Sequence, residues 1–514
     1  MPAMPALPIL IPFSAHPPCS APLFDVAATR RIEAAAAAHL PPHTLMQRAG
    51  LAVARLALAL APHARCIWIA CGPGNNGGDG LEAAMQLRQW GANPVVTWLG
   101  DEARLPADAS ASLQRARAAG VHFAGVNEAP PPLGRHDLAI DALLGIGATR
   151  APTGRMAEVL AGLHACPAPL LAVDAPTGVN VDTGTFSASL PAIYAGKKYY
   201  TLSLLTLKPG LLTAQGRDAC GTLWFDDLGV ETADEPPSAR LNAPPAPAPR
   251  PHASHKGSFG DVAIIGGAAE MGGAAYLAAL GALRGGAGRV YVARLDDASP
   301  SPAFPELMHR RADALEMEKL TVICGCGGGN AVHAVLPAVL TRAARLVLDA
   351  DALSAIATDA ALQKQLKTRA ALGLPTILTP HPLEAARLLG SSTGEVQANR
   401  LTAAQTLAAR HACTVALKGS GTIIAAPQRT PRINTSGCAR LAAPGTGDVL
   451  AGLAGALLAA GNGSHAAAFA AASAAVWQHG AAADAWPPHS GTLTASALAQ
   501  QIGSVRAATC HRPW

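Results

Sequence analysis

Apolar residues fall along this chain in two alternating patterns. Short, nearly continuous apolar runs read as strands buried on both faces. In the first half these are Arg65–Cys71, Pro94–Leu99, Asp137–Leu143 and Leu170–Val173. Longer stretches repeat apolar residues at helical spacing: Asp25–His39, Thr44–Leu60 and Leu81–Trp90, with Pro41-Pro42 parting the first two. The second half repeats the scheme. Strands are expected at Asp261–Ile265, Arg289–Ala293, Leu320–Cys324, Arg345–Leu348, Pro375–Leu378 and Thr414–Leu417, with a helix at Gly273–Arg284. A long Ala/Leu/Gly run from Val449 to about Ala460 contains no proline and reads as a buried helix. Strand, loop and helix in alternation argue for an α/β protein with doubly wound parallel sheets.

Between the halves, residues 231–251 hold seven prolines and few large apolar side chains. That composition reads as a polyproline-leaning spacer, with domains expected at 24–230 and 252–514. A chain of 514 residues is too long for one ordinary core. Charged residues make up only 14% against 50% hydrophobic, which excludes a disordered chain. The formal charge of +5 includes no basic run, so nucleic acid is not an expected partner. Ten scattered cysteines without paired C-x-x-C units suggest reduced thiols and a cytoplasmic protein. The Pro- and Ala-rich start lacks a basic segment, so a signal peptide is not expected. The apolar stretch Ala454–Ala483 is broken by Gly461–His465 and reads as buried helices, with no membrane span expected.

The chemistry gathers at strand ends. After Cys71 comes Gly72-Pro73-Gly74-Asn75-Asn76-Gly77-Gly78-Asp79-Gly80, a glycine-rich loop that carries amide and carboxylate oxygens. Oxygen ligands suit hard cations, and free amides suit phosphate. Asp141 lies at the next strand end, followed by a flexible loop from Gly145 to Ala151. Asp174 and Thr177 follow the strand Leu170–Val173. Asn76, Asp141, Asp174 and Thr177 are therefore expected to face one crevice. In the second half, Gly445-Thr446-Gly447-Asp448 precedes the buried helix. Glycines there bring backbone N–H groups close to an anion, and the helix start adds positive potential. A carboxylate at such a place would repel phosphate unless it acts beside it as a general base, or else it is an ordinary helix-start charge.

The motifs GNNGGDG, DALLGIG, DAPTG and LKPGLLTAQGRDACG together resemble the NAD(P)HX epimerase domain of the NAD(P)H-hydrate repair enzymes over about Val26 to Val230. The resemblance implies a Rossmann-like three-layer fold, a hydrated-nicotinamide substrate and a potassium ion. By position, Asn76, Asp141 and Thr177 would face potassium. Asn75, Asn76, Gly77, Gly78, Asp79, Gly145, Ile146, Gly147, Ala148, Thr149, Arg150, Ala151 and Asp174 would face substrate, with Asp174 catalytic. Thr177 stands where the family has Ser, and Tyr194–Tyr200 departs from the family's usual strand.

From about His252 to Ile502, the order KGSFG, GGAA, DADAL, TPHPLEAARLLG, ALKGSGT and APGTGDVLAG resembles the ADP-dependent NAD(P)HX dehydratases of the ribokinase-like superfamily. By that resemblance Asp448 is the base. Lys418, Gly419, Ser420, Gly421, Thr422 and Gly447 would hold ADP or AMP. Ala274, Gly327, His381 and Asp448 would meet the hydrated nicotinamide. Magnesium is implied for this half. Expected partners are NADHX, NADPHX, ADP and further copies of the chain as a homo-oligomer. Here Gly325-Cys326-Gly327-Gly328-Gly329 replaces the family's Gly-Pro-Gly-Leu-Gly, and Pro444 precedes the GTGD loop. The expected activity converts R and S epimers of NAD(P)HX and uses ADP to dehydrate the S form, giving NAD(P)H, AMP and phosphate. The GTGD loop alone also allows a small-molecule kinase, and the first half could be a binding module only.

Overall fold

The computed structural model describes residues 11–12, 20–125, 127–147, 150–186, 197–232, 234–246, 250–296, 304–461 and 463–510. The described residues form two compact units, one built from residues 11–12 and 22–239 and one from residues 20–21 and 240–510.

The first unit is organised by an eight-stranded sheet. Its centre runs Tyr199–Leu204, Leu170–Val173, Leu138–Ala142, Ile67–Cys71, Pro94–Trp98 and His122–Ala124, all parallel. Both faces are covered. Ile67, Ile69 and Cys71 join one core with the helices Val26–Ala37, Thr44–Leu60 and Asn75–Gln89, while Trp68 and Ala70 join a second core with Val159, Leu160 and Leu163 of the helix Gly154–Ala165. Alternate side chains of one strand thus serve opposite layers, which is why the runs carry no polar phase. After Ile67–Cys71 the chain builds outward through Pro94–Trp98 and His122–Ala124, then returns to place Leu138–Ala142 on the other side. The order reverses between these two strands, and a crevice opens beyond their carboxyl ends.

Two expectations change here. The glycine-rich loop is short, because the helix begins at Asn75 and not Leu81. Its glycines serve close packing: a Cβ on Gly72 would lie 1.8 Å from the Leu143 carbonyl oxygen, and one on Gly77 would lie 2.0 Å from the Gly72 oxygen. Helix propensity argues against glycine at 77, 78 and 80, but a Cβ would meet backbone at 77, the Met46 side chain at 2.7 Å at 78 and the Ala142 methyl at 2.6 Å at 80. The strands Tyr199–Leu204 and Thr222–Asp226 carry too mixed a pattern to be read in advance. Tyr194, Ala195 and Gly196 lie outside the described residues.

The second unit has a larger sheet in the order Met308–His309, Arg289–Arg294, Asp261–Gly266, Thr321–Cys324, Arg345–Leu348, Thr376–Leu378, Thr414–Leu417, Ile423–Ala425 and Arg432–Ile433. It is parallel up to Thr414–Leu417 and closes with antiparallel strands. The spacer reading fails for part of 231–251. Arg240 and Leu241 pair in parallel with Arg432 and Ile433, and the buried Asn242 amide donates to Asn434 Oδ1 at 2.9 Å and to the Ser473 carbonyl at 2.8 Å. A strand of three residues is too brief to show a period.

The Ala/Gly run is a helix that starts at Thr446, three residues earlier than expected, and ends at Ala459. It packs against Gly272–Arg284 with the backbones almost touching. A Cβ on Gly452 would lie 1.9 Å from the Ala278 oxygen, and one on Gly281 would lie 2.3 Å from the Val449 oxygen.

Candidate functional sites

In the first unit a cleft of about 680 Å³ lies at the sheet's point of reversal. Asn75, Asn76, Asp79, Gly145, Ile146, Gly147 and Asp174 line it together. Gly77 and Gly78 do not; they are buried in the helix packing. Arg150 and Ala151 lie away from the cleft lining, and Ala148 and Thr149 fall outside the described residues.

The expected cation ligands sit just behind this lining. Asp141 is 2% exposed and accepts at Oδ1 from the Thr177 hydroxyl (2.7 Å) and Leu143 N–H (3.1 Å), and at Oδ2 from Thr177 N–H (2.9 Å). Burial raises its pKa, although these donors oppose the rise. Thr177 Oγ1 also accepts from Leu144 N–H at 3.1 Å, which ties it to the loop of Gly145. Asn76 touches that loop from the other side, 3.1 Å from where a Gly145 Cβ would stand. Both polar atoms of the Asn76 amide are buried and have no protein partner. A buried amide left unpaired is costly, so the orphaned oxygen points to a ligand. The oxygens of Asn76, Thr177 and Asp141 are of the hard type that oxygen-liganded cations take.

Asp174 takes a positive φ of 64°, a conformation that costs free energy in a non-glycine residue and persists where the surroundings enforce it. Here the enforcement is Lys208. Its fully buried ammonium pairs with Asp174 Oδ1 and donates to the Leu204 carbonyl at 2.7 Å, while Leu204 N–H donates to the same carboxylate at 3.2 Å. The motif reading missed Lys208 as a site residue, and also Arg30 and Glu33, which line the cleft from the helix Val26–Ala37. A lysine directly after the uncharged run Thr201–Leu207 and before Pro209 was the available signal for the first.

In the second unit, Asp448 lies in the first turn of the helix Thr446–Ala459. Gly445 precedes it at φ 85°, where a Cβ would strike Leu277 at 2.4 Å. The loop is pinned: Thr446 Oγ1 donates to the Leu441 or Ala443 carbonyl (2.8 and 2.9 Å), and buried His479 Nε2 donates to the Thr446 carbonyl at 2.9 Å. Burial, and then the charge of Asp349, push the Asp448 carboxyl up to about 7. The thiol of Cys326 hydrogen-bonds to it, and ligand atoms of Cys326, Asp349 and Asp448 all lie within 4.8 Å of one another.

Lys418 completes the cluster. Its Nζ is 2.7 Å from Asp349 Oδ1 and 4.0 Å from Glu384 Oε2. Burial alone would lower its pKa, but these carboxylates more than offset that and raise it. A Cβ on Gly447 would sit 3.4 Å from the same Nζ, so Gly447, Lys418 and Asp448 share one place. The turn after Lys418 is held by Arg400, 1% exposed, whose guanidinium donates to the Leu417 and Lys418 carbonyls and lies 2.8 Å from where a Gly419 Cβ would be. Gly419 (φ 138°) and Gly421 (φ 63°) shape this turn, and Thr422 Oγ1 closes it on the Gly419 carbonyl at 3.2 Å.

His381 caps the helix Pro382–Leu389. Its Nδ1 accepts from the Leu383 and Glu384 N–H groups, and Nε2 faces Glu384 Oε1 at 3.2 Å. Burial, and then the charge of Lys418, lower its pKa. Ala274 and Gly327 face each other, with 2.7 Å between the Ala274 methyl and a Gly327 Cβ position. The sequence did not assign Cys326 to the site, but its thiol touches Asp448; Asp349 and Glu384 were likewise not assigned to it. The group does not form a cage for magnesium. Asp349 is occupied by Lys418, and burial and the charge of Asp448 hold the Cys326 thiol well above its ordinary pKa and hence neutral.

Residues 42–210 match the family described as YjeF-related protein N-terminus, and residues 262–504 match the family described as NAD(P)H-hydrate dehydratase. The chain is 36% identical over 480 residues to the bifunctional NAD(P)H-hydrate repair enzyme of Escherichia coli K12, covering 90% of this chain and 88% of that one. It is 43% identical over 258 residues to the ADP-dependent (S)-NAD(P)H-hydrate dehydratase of Neisseria meningitidis, covering 48% of this chain and 84% of that one. A solved ADP/ATP-dependent NAD(P)H-hydrate dehydratase from Bacillus subtilis, crystallised with ATP and magnesium, aligns at 31% identity and a TM-score of 0.43, covering 51% of this chain and 95% of that one.

Proposed function

The chain belongs to the bifunctional NAD(P)H-hydrate repair enzymes, and from that premise we propose how its residues divide the work. It epimerises hydrated NAD(P)H and dehydrates it with ADP. Epimerisation is assigned to the cleft lined by Asn75, Asn76, Asp79, Gly145 to Gly147 and Asp174. Potassium would be held by Asn76, Asp141 and Thr177, and when bound it supplies positive charge beside a substrate phosphate.

Dehydration is assigned to Asp448 and its surroundings. The observation that carries this is a carboxyl raised to about 7 at a helix start, close to the lysine that pairs with Asp349. Asp448 takes the proton of the substrate hydroxyl, which attacks the terminal phosphorus of ADP, and AMP leaves. A base of this pKa is unprotonated for much of the time near neutrality yet basic enough to take the proton. Amides of Gly445 to Gly447 and the ammonium of Lys418 stabilise charge on the transferring phosphoryl group. Phosphate then departs with help from the ring-nitrogen lone pair, and loss of a neighbouring ring proton restores NAD(P)H. Lys418 to Thr422 hold the nucleotide, while Ala274, Gly327 and His381 border the nicotinamide. Magnesium would arrive on the nucleotide phosphates, since the residues here do not cage it. The free state of every described cysteine supports a cytoplasmic setting.

The test is incubation of the purified chain with mixed NADHX epimers, with and without ADP, following the reduced-nicotinamide absorbance. NADH should return from both epimers only with ADP. Recovery from the S epimer alone would remove the epimerase assignment.

A further inference from the structure

Several carboxyls lie in or behind the cleft of the first unit, and their surroundings separate one from the rest. Asp174 is paired with Lys208. Glu82 accepts from Arg115 at 2.7 Å. Asp108 accepts from His43 at 2.5 Å. Asp79 has no cation, N–H or hydroxyl on its carboxyl among the described residues. It stands one helical turn after Asn76 and lines the cleft with Asp174. Asp79 is half-buried at the cleft wall, and with carboxylates around it and nothing donating to its own oxygens the protonated form is favoured.

We propose that Asp79 is the proton donor to the hydroxyl that leaves the substrate during epimerisation, and that Asp174 receives the proton of the water that returns. This rests on assigning epimerisation to the cleft. The epimers differ at the hydroxyl-bearing carbon bonded to the ring nitrogen. The Asp79 proton passes to that hydroxyl, the C–O bond breaks with its electron pair on the departing water, and the nitrogen lone pair forms the C=N bond of an iminium cation. Water then adds to the other face. An oxygen lone pair makes the new C–O bond, the C=N π pair returns to nitrogen, and the released proton goes to Asp174. Exchange with solvent resets both carboxyls, and no oxidant or reductant is needed. Burial first, and then the charges of Asp174, Glu33, Glu82 and Asp108, hold Asp79 well above the usual carboxylate range. The facing groups are thus Glu33 from the helix Val26–Ala37, Asp108 from Ala107–Ala118, Glu82 from its own helix, and Cys71 and Asp174 from strand ends, with Lys208, Arg115 and His43 committed to their partners. Glu33 is the competing acid, also raised by burial, but Lys208 and Arg30 draw it down.

The test uses the full chain and follows R-to-S conversion without ADP. Asp79→Asn should lower kcat by about 10²–10⁴-fold with KM within about threefold, and should abolish the parent's loss of kcat at rising pH. Glu33→Gln should keep that loss. Asp79→Asn within about tenfold of the parent, or a parent kcat that does not fall between about pH 6 and about pH 9, overturns the assignment; the second measurement decides even if the variant does not fold. Loss of the pH dependence in Glu33→Gln moves the role to Glu33. A parent with no epimerisation at all removes the premise instead.

Discussion

Asp448 and Lys208 show what single residues must tolerate at these sites. Asp448→Asn keeps shape and removes basicity, so dehydration should fall by about 10²–10⁴-fold with epimerisation unchanged. In the parent, dehydration should rise with pH through about 7, since the base acts deprotonated. The sign for stability is opposite. The folded carboxyl binds its proton more tightly than the unfolded one, so the folded state loses stability as pH rises from the ordinary carboxylate range through about 7. The Asn variant should therefore melt above the parent at alkaline pH, by at most roughly 4 kcal/mol, and alongside it in acid. Calorimetry across pH, run beside both assays, checks this; a variant that melts lower at alkaline pH contradicts it. Lys208→Met leaves the Asp174 carboxylate without its cation in a buried place. Breaking such a pair costs about 3–5 kcal/mol, so the first unit's unfolding midpoint in urea should drop while dehydration of the S epimer persists. An unchanged midpoint would mean that water or another group screens the carboxylate.

Among the elements, the helix Thr446–Ala459 carries the most consequence. Its start carries Asp448 and the amides proposed to meet the transferring phosphoryl group, and its body is fixed by backbone contact with Gly272–Arg284. Gly452→Ala places a methyl 1.9 Å from the Ala278 oxygen and forces the two helices apart. Overpacking of this kind costs about 1–3 kcal/mol. The shift also moves Asp448 relative to Lys418, so dehydration should fall although the mutation lies a turn away from the chemistry. Thermal unfolding and the dehydratase assay test this, and loss of neither would show that the helices yield without displacing the site. The same element shows why one pattern was read well and its boundary was not. An Ala/Gly/Leu run without proline is a helix on composition, but its first turn is glycine and threonine, which local propensity assigns to a loop. The helix extends to Thr446 because His479 and the carbonyls of Leu441 and Ala443 fix that turn from outside.

For the whole molecule, the strand Ala239–Leu241 decides where the second unit begins. A fragment starting at His252 lacks the pairing of Arg240 and Leu241 with Arg432 and Ile433 and the buried bonds of Asn242. One starting at about Ser238 keeps them. The longer fragment should dehydrate like the parent, and the shorter should melt lower, by about 1–3 kcal/mol for the two buried hydrogen bonds of Asn242 that it loses. Equal melting of the two fragments would return the segment to the role of a spacer.

The sequence by itself determined the alternation of buried runs and helices, the division into two α/β halves, and the chemistry at the strand ends. Those properties are local: a run is apolar because both its faces are covered, and a strand end is glycine-rich or polar because loops and ligands meet there. Motif order added the family, and with it Asp174, Asp448 and Lys418. Only the tertiary structure decided which of these groups meet. Asp448 joins Cys326, Asp349 and Lys418 because strands distant in the chain are neighbours in the sheet, and no spacing along the chain encodes that register. Lys208 reaches Asp174 for the same reason, across adjacent strands. The glycines of the first motif read as ligand-facing, yet Gly77 and Gly78 serve packing, because a missing Cβ admits a neighbouring backbone as readily as a ligand, and the residue type cannot say which.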